Sequence, residues 1–66
     1  MQPTSRQKKI IDIVRHSQPI TSKEIAEQLS LSMPTIRADL RLLTAFGILD
    51  AKPRIGYTYD DSPEKH

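Results

Sequence analysis

The chain has 66 residues, ten Lys and Arg against eight Asp and Glu, and no cysteine. That length holds one small domain, and without cysteine there is neither a disulfide framework nor a Cys-based zinc site. His16 and His66 stand too far apart for a His-rich metal cluster, and no apolar run exceeds three residues, which excludes a membrane span or signal peptide. A soluble cytoplasmic domain is expected, with no membrane partner, no metal and no cofactor. The charge is uneven: residues 1–59 carry nine basic side chains against five acidic, a net +4, and residues 60–66 carry one against three, a net −2. A basic body favours a polyanionic partner.

Thr4 followed by Gln7 is a capping-box pattern that opens a first helix. Ile10, Ile13 and Val14 recur at helical spacing with Ile11 beside them, and Lys8, Lys9, Asp12 and Arg15 take the other face. This helix fades by Ser17, because Gln18 precedes Pro19 and is biased away from helical dihedrals. Ile20 reads as a short extended piece. Thr21-Ser-Lys-Glu24 is a second capping box, starting a short helix with Ile25, Ala26 and Leu29 on one face. Ser30-Leu31-Ser32 interrupts it, and a third helix starts at once, capped by Ser32, or by Met33 if Pro34 sits at the first helical position. Ile36, Leu40 and Leu43 form its buried stripe, with Phe46 near the edge, and Gly47 supplies the left-handed residue that ends it.

After Gly47 the period changes. Residues 48–51 and 57–59 are strand-like and flank Lys52-Pro-Arg-Ile-Gly56, which predicts a hairpin with a five-residue loop. Residues 60–66 are polar, acidic and Pro-containing, and read as a flexible tail or linker after a domain spanning 1–59. The expected core is Ile10, Ile13, Val14, Ile25, Leu29, Leu31, Ile36, Leu40, Leu43, Phe46 and Leu49.

Two short helices joined by a three-residue turn describe a helix-turn-helix, and a hairpin directly after makes it a winged one. The expected fold is mainly α with a small β-hairpin: three helices plus a wing. In the DNA-binding form of this motif, the second helix of the pair enters the major groove. With Ile36 as zero and ~100° per residue, Met33 falls near 60°, Arg37 near 100°, Arg41 near 140°, Pro34 near 160° and Ala38 near 200°. Two arginines and several small residues therefore turn outward, with Ser32 at the helix start. Arg bonds guanine bidentately, and an Ala or Thr methyl can touch a thymine methyl. Solvated surface charge is the simpler reading of a lone arginine, but here both share one face with no acid between them. Asp39 lies on the other side of the stripe, where an ion pair with the first or second helix is expected. Lys52 and Arg54 form a second basic pair on the wing, suited to phosphate or a narrow minor groove, and equally explicable as a polar loop tip. Thr21, Ser22 and Lys23 open the preceding helix, where free amides suit a phosphate. Tyr57 and Tyr59 pack one face of the wing.

Ser32-Met-Pro-Thr-Ile-Arg-Ala-Asp-Leu40 resembles the recognition-helix signature of DeoR-type winged-helix repressors. The stretch from Arg37 to Tyr57, with its Pro-Arg-Ile-Gly-Tyr wing, is similar to the N-terminal domain of CcpN-type repressors of Gram-positive bacteria. The resemblance runs from about Arg6 to Tyr59. It implies binding to double-stranded promoter DNA, with Thr35, Arg37 and Arg41 as recognition-helix contacts and Arg54 as the wing contact. Ala38 stands where DeoR-type sequences often have a second basic residue. The resemblance also implies C-terminal, ligand-sensing CBS-type domains in a full-length protein, so this chain is expected to be an excised domain or a free-standing relative, monomeric or weakly dimeric. The alternative is a winged-helix protein–protein interaction module, which predicts an apolar surface patch. Enzymatic activity is not expected: there is no nucleophile–base pair, no carboxylate pair with a cleft and no phosphate-cradling glycine loop.

Overall fold

Two reciprocal capping boxes set where the chain first becomes helical. In the computed structural model, which describes residues 2–59, the Gln7 amide donates to Thr4 Oγ1 at 3.1 Å and the Thr4 amide to Gln7 Oε1 at 3.0 Å. Helix α1 then runs Ser5–Ser17. Thr21 and Glu24 repeat the device at 3.2 and 3.5 Å and open α2, Ser22–Leu29. Ser30 ends α2 in the left-handed region, at φ 54°. The Ser30 and Leu31 amides donate back to the Glu27 and Ala26 carbonyls at 3.3 and 3.0 Å, so the chain reverses without a glycine. Helix α3, Met33–Ala45, follows with Ser32 as N-cap. Gly47, at φ 77°, closes it: its amide and that of Ile48 return to the Thr44 and Leu43 carbonyls, both at 3.0 Å.

Strands β1, Leu49–Lys52, and β2, Gly56–Tyr59, pair antiparallel with Leu49 opposite Tyr59 and Lys52 opposite Gly56. The hairpin differs from expectation at both ends. Ile48 stays out of the strand because its amide is already committed to capping α3. The loop is three residues rather than five, because Lys52 pairs with Gly56 and the Ile55 amide donates to the Lys52 carbonyl at 3.0 Å. Pro53 followed by Arg54 at φ 66° gives this reversal the form of a type II turn. On the far side of β2, Ile20 bridges Tyr57, the two amides donating reciprocally at 3.1 and 2.7 Å. A cis peptide joins Gln18 to Pro19 just before it. β2 is thus bordered on both sides.

The core lies where the helices meet the base of the hairpin. Ile10 and Val14 of α1, Ile25 of α2, and Ile36, Leu40 and Leu43 of α3 are fully buried, joined by Ile20, Ala26 and Leu49. Ile13, Leu29 and Leu31 are half-buried against them. Phe46 departs from its expected place: it is 59% exposed. It is the C-cap residue, rotated about 80° from Ile36 at ~100° per residue, which turns its ring out of the buried stripe. Ile20 makes the opposite move, from a short extended link to a core position. Among the described residues, no helix is long and apolar enough to cross a membrane. The predicted tail at 60–66 lies outside the described residues.

Candidate nucleic-acid interface

Burying Ile36, Leu40 and Leu43 fixes the rotation of α3, and with it every side chain on the opposite face. Arg37, Ala38 and Arg41 are exposed there, as are Ser32 and Pro34 at the helix start. Thr35 is half-buried, and Met33 leans partly on the core. Among the described residues neither Arg37 nor Arg41 forms an ion pair, so both guanidinium groups keep their donors for an external acceptor. The first turn of α3 holds no acid, and Ser32 makes no side-chain cap. Its hydroxyl donates instead to Thr35 Oγ1 at 2.9 Å. The Met33 and Thr35 amides therefore sit uncapped by side chains at the positive end of the helix dipole, which favours an anionic partner.

Asp39 is on the same helix and takes no part in that face. It is 3% exposed and accepts from the Nε–Nη2 edge of the Arg6 guanidinium on α1, Nε to Oδ2 and Nη2 to Oδ1, the latter at 3.1 Å. Gln7 Nε2 adds a donor to Oδ1 at 3.3 Å. The Arg6 hydrogen bonds hold the Asp39 carboxyl below the usual carboxylate range, outweighing the burial that pushes it up, and Asp39 in turn raises Arg6. A depressed carboxylate contributes stability above its unfolded pKa of ~3.9 and loses it as pH falls through the folded value. Near neutral pH the tie is intact. It turns the negative charge inward, away from the arginines.

Chain folding brings the second set of candidates together from thirty residues apart in sequence. Thr21 and Ser22, at the start of α2, line the same open cleft of about 400 Å³ as Lys52, Pro53 and Arg54 of the wing. Arg54 and Lys23 are exposed, and neither forms an ion pair among the described residues. Lys52 is different: its Nζ lies 2.9 Å from Asp50 Oδ2. Both groups are about half exposed, so the pair is weak and can exchange for a phosphate.

Arg54 occupies a backbone conformation that favours glycine, at a cost of roughly 1–2 kcal/mol for an L-residue. Arg54→Gly is expected to raise the unfolding midpoint by a few degrees, since ~1 kcal/mol moves a domain of this size by ~4–8 °C. The same substitution is expected to weaken DNA binding, measured by fluorescence anisotropy on a labelled duplex. A lower midpoint would show that the turn is not strained at this residue.

Three contacts anchor the wing, and sequence reasoning found none of them. Ile20 bridges Tyr57; the Tyr59 amide donates to Gln18 Oε1 at 2.9 Å; and the Arg15 guanidinium stands 5.0 Å from the Tyr59 ring centroid, a cation–π contact. The only prior signal was the alternation of Tyr57, Thr58 and Tyr59, and both tyrosines are half-buried against the core. Among the described residues no group of three or more His, Cys, Asp or Glu side chains could hold a metal.

These features agree with what the chain resembles. The HTH domain family matches residues 6–58. The chain is also 50% identical over 54 residues to the transcriptional repressor CcpN of Bacillus subtilis (strain 168), a match that covers 82% of this chain and 26% of that protein. The chain thus spans about a quarter of the length of that relative. With the match running from the first turn of α1 into the last strand of the hairpin, the chain belongs to the HTH domain family, in its winged form.

Proposed function

We propose that this chain binds double-stranded promoter DNA sequence-specifically, as the DNA-binding domain of a bacterial transcriptional repressor. The observation that carries this reading is the outward face of α3: Arg37 and Arg41 are exposed and free of ion pairs among the described residues, on the helix whose other face is locked into the core. In the proposed complex the first turns of α3 enter the major groove. Arg37 and Arg41 read base edges or brace phosphates, Thr35 and Ala38 offer methyl groups, and Ser32, Met33 and Pro34 border the groove. Thr21, Ser22 and Lys23 meet one backbone, and Lys52 and Arg54 reach phosphate or the minor groove. Family membership supports DNA as the partner, and the likeness to a transcriptional repressor supports the regulatory role.

The DNA-binding unit is taken as residues 1–59, with 60–66 as tail or linker, working in the cytoplasm as a non-enzymatic regulator. We propose that CBS-type ligand-sensing domains follow it in a full-length protein, a reading supported by the likeness to a CcpN-type repressor of which the match covers 26%.

The test is a titration against promoter DNA from the chain's own genomic neighbourhood, beside a scrambled duplex, at several salt concentrations. The promoter is expected to bind tighter than the scrambled duplex. Four basic contacts (Lys23, Arg41, Lys52 and Arg54) predict a log–log salt slope of about −4 for both, at ~−0.9 per phosphate neutralised. Absence of any shifted duplex at low salt would sink the reading and favour a protein–protein module.

A further inference from the structure

α3 carries a second outward face that the DNA reading does not use. With Ile36 as zero and ~100° per residue, Ala45 falls near 180°, Leu42 near 240° and Phe46 near 280°, past the arginine arc and short of the buried stripe. Leu42 is 46% exposed, Phe46 is 59% exposed, and Ala45 is exposed on the arginine side of Leu42. Leu42 and Phe46 stand one helical turn apart and so form a single apolar ridge. On α3 itself no charged side chain stands between Leu42 and Phe46, although Arg41 and the Arg6–Asp39 pair border the ridge. The ridge occupies the C-terminal turn of α3, beyond Arg41 and about 100° or more around the helix from it at ~100° per residue.

Its size selects its occupant. The two side chains expose roughly 200 Å² between them, taking ~150–250 Å² for a whole aromatic side chain. A freely diffusing protein partner needs about 800 Å² on each side for a stable interface. A partner already held beside the ridge needs far less, because tethering makes the contact effectively intramolecular. A second copy bound to the next half-site of the same duplex is held in just this way. The apolar character of Leu42 and Phe46 suits a two-fold contact, in which each side chain meets its own counterpart.

Helix length fits as well. Residues 35 and 45 lie ~15 Å apart along the axis, so two α3 helices meeting at their C-terminal turns hold their first turns roughly 30 Å apart. Half-sites one helical turn apart on DNA are separated by ~34 Å.

We propose that Leu42 and Phe46 form a two-fold contact between two copies of this domain on adjacent half-sites. The proposal rests on the DNA-binding reading. The contact is too small to hold a dimer in free solution and adds to affinity only when DNA supplies the proximity.

The test uses a site selected from a random-sequence duplex pool, presented once or as an inverted repeat at one-turn spacing. The wild-type chain is expected to bind the second half-site about 10-fold more tightly than a lone one, within the usual ~5–150-fold range of site coupling. The double variant Leu42→Ser, Phe46→Ser changes exposed side chains only, and its fold is checked by circular dichroism. It is expected to keep the wild-type affinity for a single site and lose the 10-fold gain. A variant that keeps the gain overturns the proposal and leaves the ridge to another partner, and so does a wild-type chain that shows no gain. Failure of the DNA reading looks different: the wild-type chain then binds no duplex, single or paired.

Discussion

Gly56→Ala is expected to lower the unfolding midpoint by roughly 10–25 °C in thermal circular-dichroism scans, at ~4–8 °C per kcal/mol for a domain this small. Gly56 has φ 130°, a conformation L-residues rarely adopt, and a Cβ built there would stand 2.6 Å from the Ile20 carbonyl oxygen and 2.8 Å from its carbon. The obstacle is backbone and cannot swing aside. Either the Ile20–Tyr57 bridge opens or the hairpin lifts from the core, and overpacking of this kind costs about 1–3 kcal/mol beyond the backbone strain. A single core below about 70 residues rarely supplies more than ~3–5 kcal/mol, so most of the net stability is at stake. Gly47 is the control. It too has a positive φ, at 77°, but a Cβ there meets nothing within 4 Å. Gly47→Ala therefore shows strain without collision, at about 1 kcal/mol. Equal melting of the two variants would mean that the close approach at Ile20 carries no weight.

Arg37→Ala is expected to weaken binding to a cognate duplex by about 10- to 100-fold and to a scrambled duplex by only a few-fold. A bidentate contact to guanine contributes ~1–3 kcal/mol of discrimination, and that part is lost only where the correct base is present. The side chain is exposed and free of ion pairs among the described residues, so its removal leaves the fold intact and the affinity change reports contact rather than unfolding. Lys23→Ala gives the contrasting pattern, a similar loss on both duplexes with a salt slope shallower by about 1. If Arg37→Ala left cognate binding unchanged, α3 would not be the reading element.

Much of this architecture was legible because its signals are local. Thr4 with Gln7, and Thr21 with Glu24, each satisfy their own amides within four residues, so the helix starts needed no tertiary information. The stripe of Ile36, Leu40 and Leu43 declared its own buried face and so the outward direction of Arg37 and Arg41. Asp39 was legible by side but not by partner, since Arg6 and Gln7 meet it only after α1 packs on α3.

What stayed hidden depends on distant contacts. Nothing around Ile20 announces that Tyr57 will bridge it, or that Gly56 is needed for the fit. The loop is two residues shorter than composition predicts, because Arg54 adopts a conformation that composition assigns to glycine or asparagine. Phe46 reads as core from its apolar character alone, which does not tell that the C-cap turns its ring away from the stripe.

The triple anchoring of the wing root bears on the thermodynamics of recognition. A loop that must be ordered on binding loses about 0.5–1.5 kcal/mol for each side chain immobilised. Here Ile20, Gln18 and Arg15 hold the β2 backbone and the Tyr59 ring before any partner arrives. Most of that entropic penalty is therefore met during folding. The wing meets its target already shaped, and only the outer side chains, Arg54 foremost, remain to be fixed.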